Sequence, residues 1–220
     1  MRRSPADLNR ILLHGRVEAA PVSSHVNHGV EFFLFPLAVA RLSGVEDRLN
    51  VVLPGALLDQ CAPLDVDREV TVRGEVRTFN SRAPSGSRLV ISTFAREITP
   101  QICPHENQLE LSGTLCKPPS LRSTPLGRTI CDMILAVNRR YGRADYLPCI
   151  AWGSLAHRCA GLAVGDRIRL SGRLQSRLYT KAVEDRLEER VAFEVSVMSL
   201  SQEEEPGCGW GPWPAGEMTP

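Results

Sequence analysis

The sequence lacks the short motifs on which most enzyme assignments rest. Its 220 residues contain no G-x-S-x-G, no Walker A loop and no H-E-x-x-H, the motifs of serine hydrolases, nucleotide-phosphate binding and zinc peptidases. The five histidines are scattered without carboxylates at a recognisable spacing. The stretch "HVNH", from His25 to His28, offers metal ligands in principle, but a polar loop is the simpler interpretation. We therefore expect no catalysis, no cofactor and no bound metal.

Paired cysteines and long hydrophobic runs are also absent. The seven cysteines are an odd number with no C-x-x-C, and several lie in apolar runs, which indicates reduced thiols in a cytosolic protein rather than disulfides or zinc ligands. No apolar segment follows the initial "MRR", and the longest apolar run, residues 32–40, is too short to span a bilayer. We expect a soluble cytoplasmic protein.

The chain has no overall charge excess, since its formal net charge is +1. The distribution is nevertheless uneven. Residues 1–106 carry 12 basic and 12 acidic side chains, residues 107–200 carry 14 and 9, and residues 201–220 carry none and 4. Any electrostatic attraction for a polyanion is therefore expected in the second half of the chain.

What the sequence does contain is an internal repeat with an offset of 98 residues. Across the 66 ungapped positions that align residues 9–74 with residues 107–172, 19 are identical. The clearest match sets "LAVARLSG", which starts at Leu37, against "LAVNRRYG", which starts at Leu135. The sequence therefore contains two copies of one domain.

Each copy has the alternating pattern of β-strands. The segments "NRILLHGRV" and "REVTVRGEV", with their counterparts in the second copy, alternate around a glycine that permits a bend or bulge. Two apolar runs, a short helix-like piece ("GALLDQC" or "GSLAHRC"), a polar loop and a last strand complete each copy. Five strands with a helix between the third and fourth predict an oligonucleotide-binding (OB) barrel; an SH3-like barrel, which lacks that helix, is the alternative.

These patterns predict an all-β protein with two tandem five-stranded Greek-key barrels. We expect the first barrel within residues 1–100, a linker at 101–106, the second barrel at 107–200, and a disordered tail at 201–220 that is rich in Gly, Pro and Glu. The two barrels are expected to share no continuous sheet.

The second copy resembles the bacterial single-stranded DNA-binding protein family. The segments "NQLELSGTLCKPP", "RTICDMILAVNRRYGRADYLPCIAWG" and "VGDRIRLSGRLQSRLYT" follow that family's order of motifs. The first copy, through "RLSGVEDRLNVVLP" and "SRLVISTFAREI", resembles the N-terminal half of a tandem version found in anaerobic Gram-positive bacteria. The resemblance implies sequence-tolerant binding of single-stranded DNA, for its protection in replication, recombination or repair.

The resemblance also implies which side chains stack on bases. The matching aromatic residues are Tyr141 in a hairpin turn, Tyr146 and Trp152 at the two ends of the third strand, and Tyr179 in the late loop. Tyr146 and Trp152 are six residues apart, so on a strand they point to the same side. Basic residues that lie in or beside these segments, where they would contact phosphates, are Arg128, Arg139, Arg140, Arg143, Arg173, Arg177 and Lys181.

The first copy departs from this pattern. Ser43, Arg48, Pro54 and Ser81 occupy the positions of the four aromatic residues. We therefore expect a first barrel that is degenerate for base stacking and that mainly packs, dimerises or contacts a partner. Its apolar strands "EFFLFPLAV" and "LNVVLPG" are candidates for the contact of a homodimer with four barrels. Phe79 and Phe94 remain candidates for stacking, but a half-buried strand position is the simpler interpretation for each.

Two further interpretations remain open at this stage. The acidic tail, with tryptophans among its glycines and prolines, is a candidate site for recruiting replication or repair proteins. The alternative function is an adaptor or primosome-type assembly protein, whose barrels mainly bind other proteins.

Overall fold

The computed structural model describes residues 7–80, 89–100, 106–140, 142–183 and 186–202, and it is built almost entirely of β-strands. The elements of the first repeat are β1 (Asn9–Val17), β2 (Val22–Asn27), β3 (Val30–Ala40), β4 (Glu46–Pro54), α1 (Gly55–Gln60), β5 (Glu69–Asn80) and β6 (Leu89–Thr99). Those of the second are β7 (Asn107–Leu115), β8 (Ser120–Ser123), β9 (Thr129–Asn138), β10 (Ala144–Trp152), α2 (Gly153–Ala160), β11 (Arg167–Val183) and β12 (Arg186–Gln202). Within the described residues, no helix is long and apolar enough to cross a membrane.

Each repeat closes into a five-stranded barrel. In the first, the hydrogen-bonded order is β1-β3-β4-β6-β5 and back to β1, and in the second it is β7-β9-β10-β12-β11 and back to β7. All of these pairs are antiparallel except β4 with β6 and β10 with β12. This order, with a helix after the third barrel strand, confirms the OB barrel predicted from the sequence.

The cores follow the alternation of the strands. Burial runs in nearly the same sequence along β1 and β7, with the inward side chains of both strands buried. The equivalent residues Leu13 and Leu111 are both fully buried. The repeat in the sequence is thus a repeat of side-chain environments.

The expectation of two separate sheets is wrong. β1 of the first barrel pairs antiparallel with β7 of the second, and Ile11 lies opposite Leu109. These two residues are equivalent by the 98-residue offset, so the barrels are related by an approximate twofold axis at this pair. Residues 9–13 of β1 and 107–111 of β7, which do not pair with β3 or β9, pair with each other. All twelve strands of the described residues therefore form one continuous sheet.

A buried carboxylate of the first barrel also contacts the second. Asp47 is fully buried and accepts two hydrogen bonds from the Arg41 guanidinium, at 2.7 and 2.6 Å. Its Oδ1 also accepts the backbone N–H of Ser176 on β11 at 2.6 Å. Arg41 Nη2 donates to the carbonyl oxygen of the same serine at 3.0 Å.

An equivalent carboxylate of the second barrel contacts the first barrel. Asp145 is fully buried and paired with the Arg139 guanidinium, and its Oδ1 accepts the backbone N–H of Thr78 on β5 at 2.5 Å. Arg139 Nη2 donates to the Thr78 carbonyl oxygen at 3.2 Å. We call these two pairs the inter-barrel clamps, Arg41–Asp47 on Ser176 and Arg139–Asp145 on Thr78.

Of the bends or bulges predicted at glycine, those at the second glycine of each repeat are confirmed, whereas the pairing at Gly15 and Gly113 shows no register shift. The pairing register shifts between Arg73 and Gly74 in β5, and between Ser171 and Gly172 in β11. A Cβ at either glycine would overlap the backbone of the neighbouring strand, at Phe94 or at Ser196 respectively. Both glycines are therefore required by the close approach rather than by a turn conformation.

Several sequence-based expectations need correction. "HVNH" is not a loop, since its first three residues belong to β2, a short strand that pairs with β3. The polar loop that the sequence predicts before the last strand of the second copy, residues 177–190, is mostly a two-stranded ribbon. The pairing of β11 with β12 continues as far as Val183 and Arg186. Of the tail, residues 201 and 202 end β12. Residues 203–220, and 101–105 of the linker, lie outside the described residues.

The described cysteines are free thiols, as predicted. Cys131, Cys149 and Cys159 are buried, and Cys61 and Cys116 are half-buried. Burial raises the pKa of Cys149 far above its usual value and that of Cys159 to about 11. These buried thiols stay protonated at neutral pH, which makes them poor nucleophiles.

The apolar strands proposed for a dimer contact are mostly interior. In β3, Phe35, Leu37 and Val39 are buried, and in β4, Leu49 and Leu53 are fully buried. The apolar excess noted in the sequence therefore fills the barrel. What remains at the surface is the half-buried start of β3.

Candidate nucleic-acid interface

Two aromatic side chains stand on the outer face of β10. Tyr146 is 52% exposed and Trp152 is 41% exposed, whereas Asp145, Leu147 and Ala151 between and beside them are fully buried. The strand thus directs alternate residues into the core and leaves the aromatic pair outside. This is the arrangement that the six-residue spacing predicts.

A shallow cavity of about 220 Å³ lies on the same face, between the two aromatic positions. Pro148 and Ile150 of β10 form part of its lining, and Asp132 and Glu194 line it with carboxylates. Asp132 is paired with Arg122 of β8, at 2.5 and 3.2 Å. Neither Tyr146 nor Trp152 lines this cavity, whose other lining residues include Lys117 and Pro118.

Tyr179 lies on the ribbon formed by β11 and β12. It pairs with Arg190 across the ribbon and is half-buried. The Arg177 guanidinium carbon lies 5.9 Å from the Tyr179 ring centroid, within the range of a cation–π contact. Lys181 follows on the same strand.

The remaining basic residues lie in turns and on one strand. Arg128 is exposed at the end of the β8–β9 turn, where its backbone N–H donates to Thr124 Oγ1 at 3.1 Å. Arg140 and Arg143 are exposed in the turn between β9 and β10, and Arg173 is half-buried on β11. Tyr141, predicted in the same turn, lies outside the described residues.

Arg139 has a different environment from the one expected for a phosphate contact. It is only 25% exposed, and its guanidinium donates to Asp145 and to the Thr78 carbonyl oxygen. These bonds commit the side chain to the inter-barrel clamp. The environment of Arg139 therefore does not support the phosphate contact expected from the sequence.

The clamps are the part of this region that the motif comparison missed. The signal was present in the repeat itself, because Arg41 aligns with Arg139 and Asp47 with Asp145 at the 98-residue offset. An aspartate retained at the start of an apolar strand in both copies indicates a buried, paired carboxylate.

The first barrel has an aromatic cluster at positions that the motif comparison did not select. His25 and Phe32 are stacked, with ring centroids 4.9 Å apart and 11° between their planes. Phe94 lies 5.8 Å from Phe32, centroid to centroid, and the Arg96 guanidinium carbon lies 4.7 Å from the Phe94 centroid. We call these four side chains the first-barrel aromatic surface.

Comparison with solved structures supports the fold. Wild-type single-stranded DNA binding protein from Thermus aquaticus superimposes with a TM-score of 0.73, over 96% of this chain and 98% of that chain. Its sequence is 24% identical. A deletion mutant of the same protein gives the same TM-score over 94% of this chain.

Sequence comparison places the likeness in the second repeat. Residues 106–201 match the model described as the single-strand binding protein family. Single-stranded DNA-binding protein B of Bacillus subtilis is 38% identical over 80 residues, which are 33% of this chain and 71% of that relative. For protein A of the same species, the identity is again 38% over 80 residues, which are 46% of the relative.

Coverage of the relatives is uneven. For protein 2 of Listeria innocua, the match is 36% identical over 80 residues, which are 33% of this chain and 50% of the relative. The chain spans about half the length of the first curated relatives that it matches. The match to protein B nevertheless covers 71% of that relative at 38% identity. The family model matches residues 106–201, which run from the start of β7 almost to the end of β12. The chain therefore belongs to the single-strand binding protein family.

Proposed function

We propose that the chain binds single-stranded DNA, without strong sequence preference, on the outer face of its second barrel. The observation that carries this proposal is the exposed pair Tyr146 and Trp152 on one face of β10, whose other face is core. Membership of the family, and the printed names of the Bacillus and Listeria relatives, support it.

Stacking and phosphate neutralisation supply the affinity. Every base has a π-face, so Tyr146, Trp152 and Tyr179 accept any base, at about 1–3 kcal/mol for each stacked base. Arg128, Arg140, Arg143, Arg173, Arg177 and Lys181, together with Tyr141 in the β9–β10 turn, complete the proposed surface. Each phosphate that these cations neutralise releases counterions, so binding weakens steeply with salt.

The first barrel has a different role in this proposal. At the positions of Tyr141, Tyr146 and Trp152 it carries Ser43, Arg48 and Pro54. It therefore lacks the second barrel's stacking set and serves to pack against the second barrel and to assemble the protein.

The assembled form is a homodimer with four barrels, located in the cytoplasm. One OB barrel holds roughly 4–16 nucleotides, so four barrels cover a longer strand and hold it more tightly. Bound in this way, single strands are protected during replication, recombination or repair, and residues 203–220 recruit proteins of those pathways. We expect no catalytic activity.

The double variant Tyr146→Ala with Trp152→Ala tests the surface. Binding of a fluorescein-labelled oligothymidylate, followed by anisotropy, should weaken by at least about tenfold, since two stacking rings are lost. The control is Val164→Ala with Met198→Ala, at residues that are 54% and 60% exposed and lie in none of the segments of the proposed surface. This control should leave the affinity unchanged.

The same titration decides between this function and the adaptor. An adaptor whose barrels mainly bind proteins would bind the oligonucleotide weakly, and equally weakly in both double variants. Equal affinity of wild type and the Tyr146/Trp152 variant would therefore contradict the proposed surface.

A further inference from the structure

The first-barrel aromatic surface lies on the same barrel face as the second barrel's stacking pair. Phe32 on β3 is directly opposite Pro54 on β4, and Pro54 is the equivalent of Trp152. In the second barrel, Trp152 is directly opposite Ile130, the equivalent of Phe32. Directly opposed residues share a face with their Cβ atoms about 5 Å apart. At this pair of opposed positions, the aromatic residue is thus on β3 in the first barrel and on β10 in the second.

Phe94 belongs to the same face. It lies on β6 beside Val52 of β4, and Val52 is directly opposite Leu34 of β3. The half-buried rings of Phe94 and Phe32 therefore meet over β4. His25 is exposed and extends the stack outward from Phe32.

A further aromatic side chain connects this face with the second barrel. Phe79 on β5 is 52% exposed and directly follows Thr78. The backbone N–H of Tyr146 donates to Thr78 Oγ1 at 3.3 Å. Phe79 and Tyr146 therefore lie on either side of the contact between the barrels, and aromatic positions continue from one barrel to the next.

We propose that the first-barrel aromatic surface, His25, Phe32, Phe94 and Arg96, is a second base-stacking site for the same single strand. The proposal rests on the proposed function of the second barrel and extends it. Phenylalanine, histidine and arginine planes all stack on unpaired bases. The first barrel lacks aromatic residues at the second barrel's stacking positions and carries aromatic rings on neighbouring strands instead.

This second site differs from the first in its electrostatics. Arg96, over Phe94, is paired with Glu75 at 3.2 Å. Arg48, further along β4 at the position of Tyr146, is paired with Glu18 at 3.0 Å. Cations that already have carboxylate partners neutralise few phosphates. The site therefore adds stacking affinity and little salt dependence, unlike the arginines of the second barrel.

The test compares two oligothymidylates, of about 12 and about 32 nucleotides, which match one and two barrels at roughly 4–16 nucleotides each. The variant is His25→Ala with Phe32→Leu, which removes two rings and keeps an aliphatic side chain at the half-buried position. The long oligonucleotide should bind about tenfold more weakly, with an unchanged slope of log affinity against log salt. The short one should bind as it does to wild type.

The matched control is Phe33→Leu, the neighbouring ring on the core side of β3. It makes the same chemical change in the same strand and should leave both affinities unchanged. His25→Ala alone, at an exposed position, should give part of the loss on the long oligonucleotide, so the test does not depend on the folding of the Phe32 variant.

The outcomes are distinct. If the double variant binds the long oligonucleotide as wild type does, the second stacking site is contradicted while the proposed function stands. If the variant instead halves the mass of the protein in light scattering, the surface is a contact with a second copy, and the inference is again contradicted. If wild type binds neither oligonucleotide, the proposed function itself fails.

Discussion

At the scale of the residue, Asp145 has hydrogen bonds or ion pairs with three other residues of both barrels. It is fully buried, it is paired with Arg139 and, at 3.3 Å, with Arg77, and it accepts the backbone N–H of Thr78. Replacing it with alanine removes the carboxylate partner of the half-buried Arg139 and the acceptor of the Thr78 backbone N–H, while Arg77 keeps its ion pair with Glu75. We predict that Asp145→Ala lowers the free energy of unfolding by about 3 kcal/mol or more, measured by urea denaturation.

The control for this prediction is a carboxylate at the surface. Asp132, which is 42% exposed and paired with Arg122, forms an ion pair of the kind that contributes about 0–1 kcal/mol. Asp132→Ala should therefore shift the urea midpoint little. Equal losses in the two variants would contradict the role given to the clamp.

A second residue-scale prediction concerns the buried thiol of Cys159. Its pKa is raised from 9.0 to about 11 by burial, so from pH 9 to pH 11 the unfolded chain releases this proton while the folded chain keeps it. The contribution of the neutral thiol is fully present below pH 9 and is lost as the pH rises toward 11. The free energy of unfolding should fall by about 1.4 kcal/mol per pH unit for this one group.

Urea titrations of wild type and Cys159→Ala at pH 8, 9 and 10 isolate the effect. Other groups also titrate over this range, but they are common to both proteins. The wild type should lose more stability than the variant above pH 9, and parallel curves would show that Cys159 does not titrate in this way.

At the scale of the element, the strand crossings impose a requirement for glycine. A Cβ at Gly172 would overlap the Ser196 backbone, whereas at Gly161, after α2, it would lie 3.5 Å from the Arg158 carbonyl oxygen, an ordinary contact. Gly172→Ala should therefore destabilise the protein by about 1–3 kcal/mol, as expected for overpacking, and Gly161→Ala should not. Thermal unfolding of the two variants makes the comparison, and a similar loss in both would contradict the requirement at Gly172.

The elements that the sequence predicted are those with a core on one side. The barrel strands were predicted from alternating and apolar runs, because one face of each strand is buried against the barrel interior. The two helices were predicted from the segments "GALLDQC" and "GSLAHRC". β2, β8 and the outer part of the β11–β12 ribbon escaped prediction, since these strands are exposed. Leu178 and Leu187 of the ribbon are 70% and 78% exposed, so no buried face imposes a two-residue period on them.

Of the candidate site, the exposed aromatic residues of β10 were predictable from the sequence, whereas contacts between distant strands were not. Tyr146 and Trp152 were identified from a resemblance and from strand geometry, and the structure places both on one exposed face. The environments of Arg139 and Phe32 were not predictable, because they depend on strands that are distant in sequence. Arg139 meets Thr78 across the barrels, and Phe32 meets Phe94 over β4.

At the scale of the whole molecule, β1 and β7 pair with each other, so these strand edges are occupied within one chain. A homodimer must therefore form through another surface. We predict a mass of twice 24.2 kDa by light scattering at micromolar concentration, unchanged when residues 203–220 are deleted. A mass near one chain would contradict the homodimer.

The measurement that tests the central claim most directly is a competition between single-stranded and duplex DNA of the same sequence, repeated at several salt concentrations. Stacking on Tyr146 and Trp152 requires unpaired bases, so single strands should retain the protein at moderate salt while duplex does not. The logarithm of the affinity for single strands should fall linearly with the logarithm of the salt concentration, with a slope of about −0.7 for each phosphate neutralised. Equal affinity for the two forms of DNA would contradict binding by base stacking.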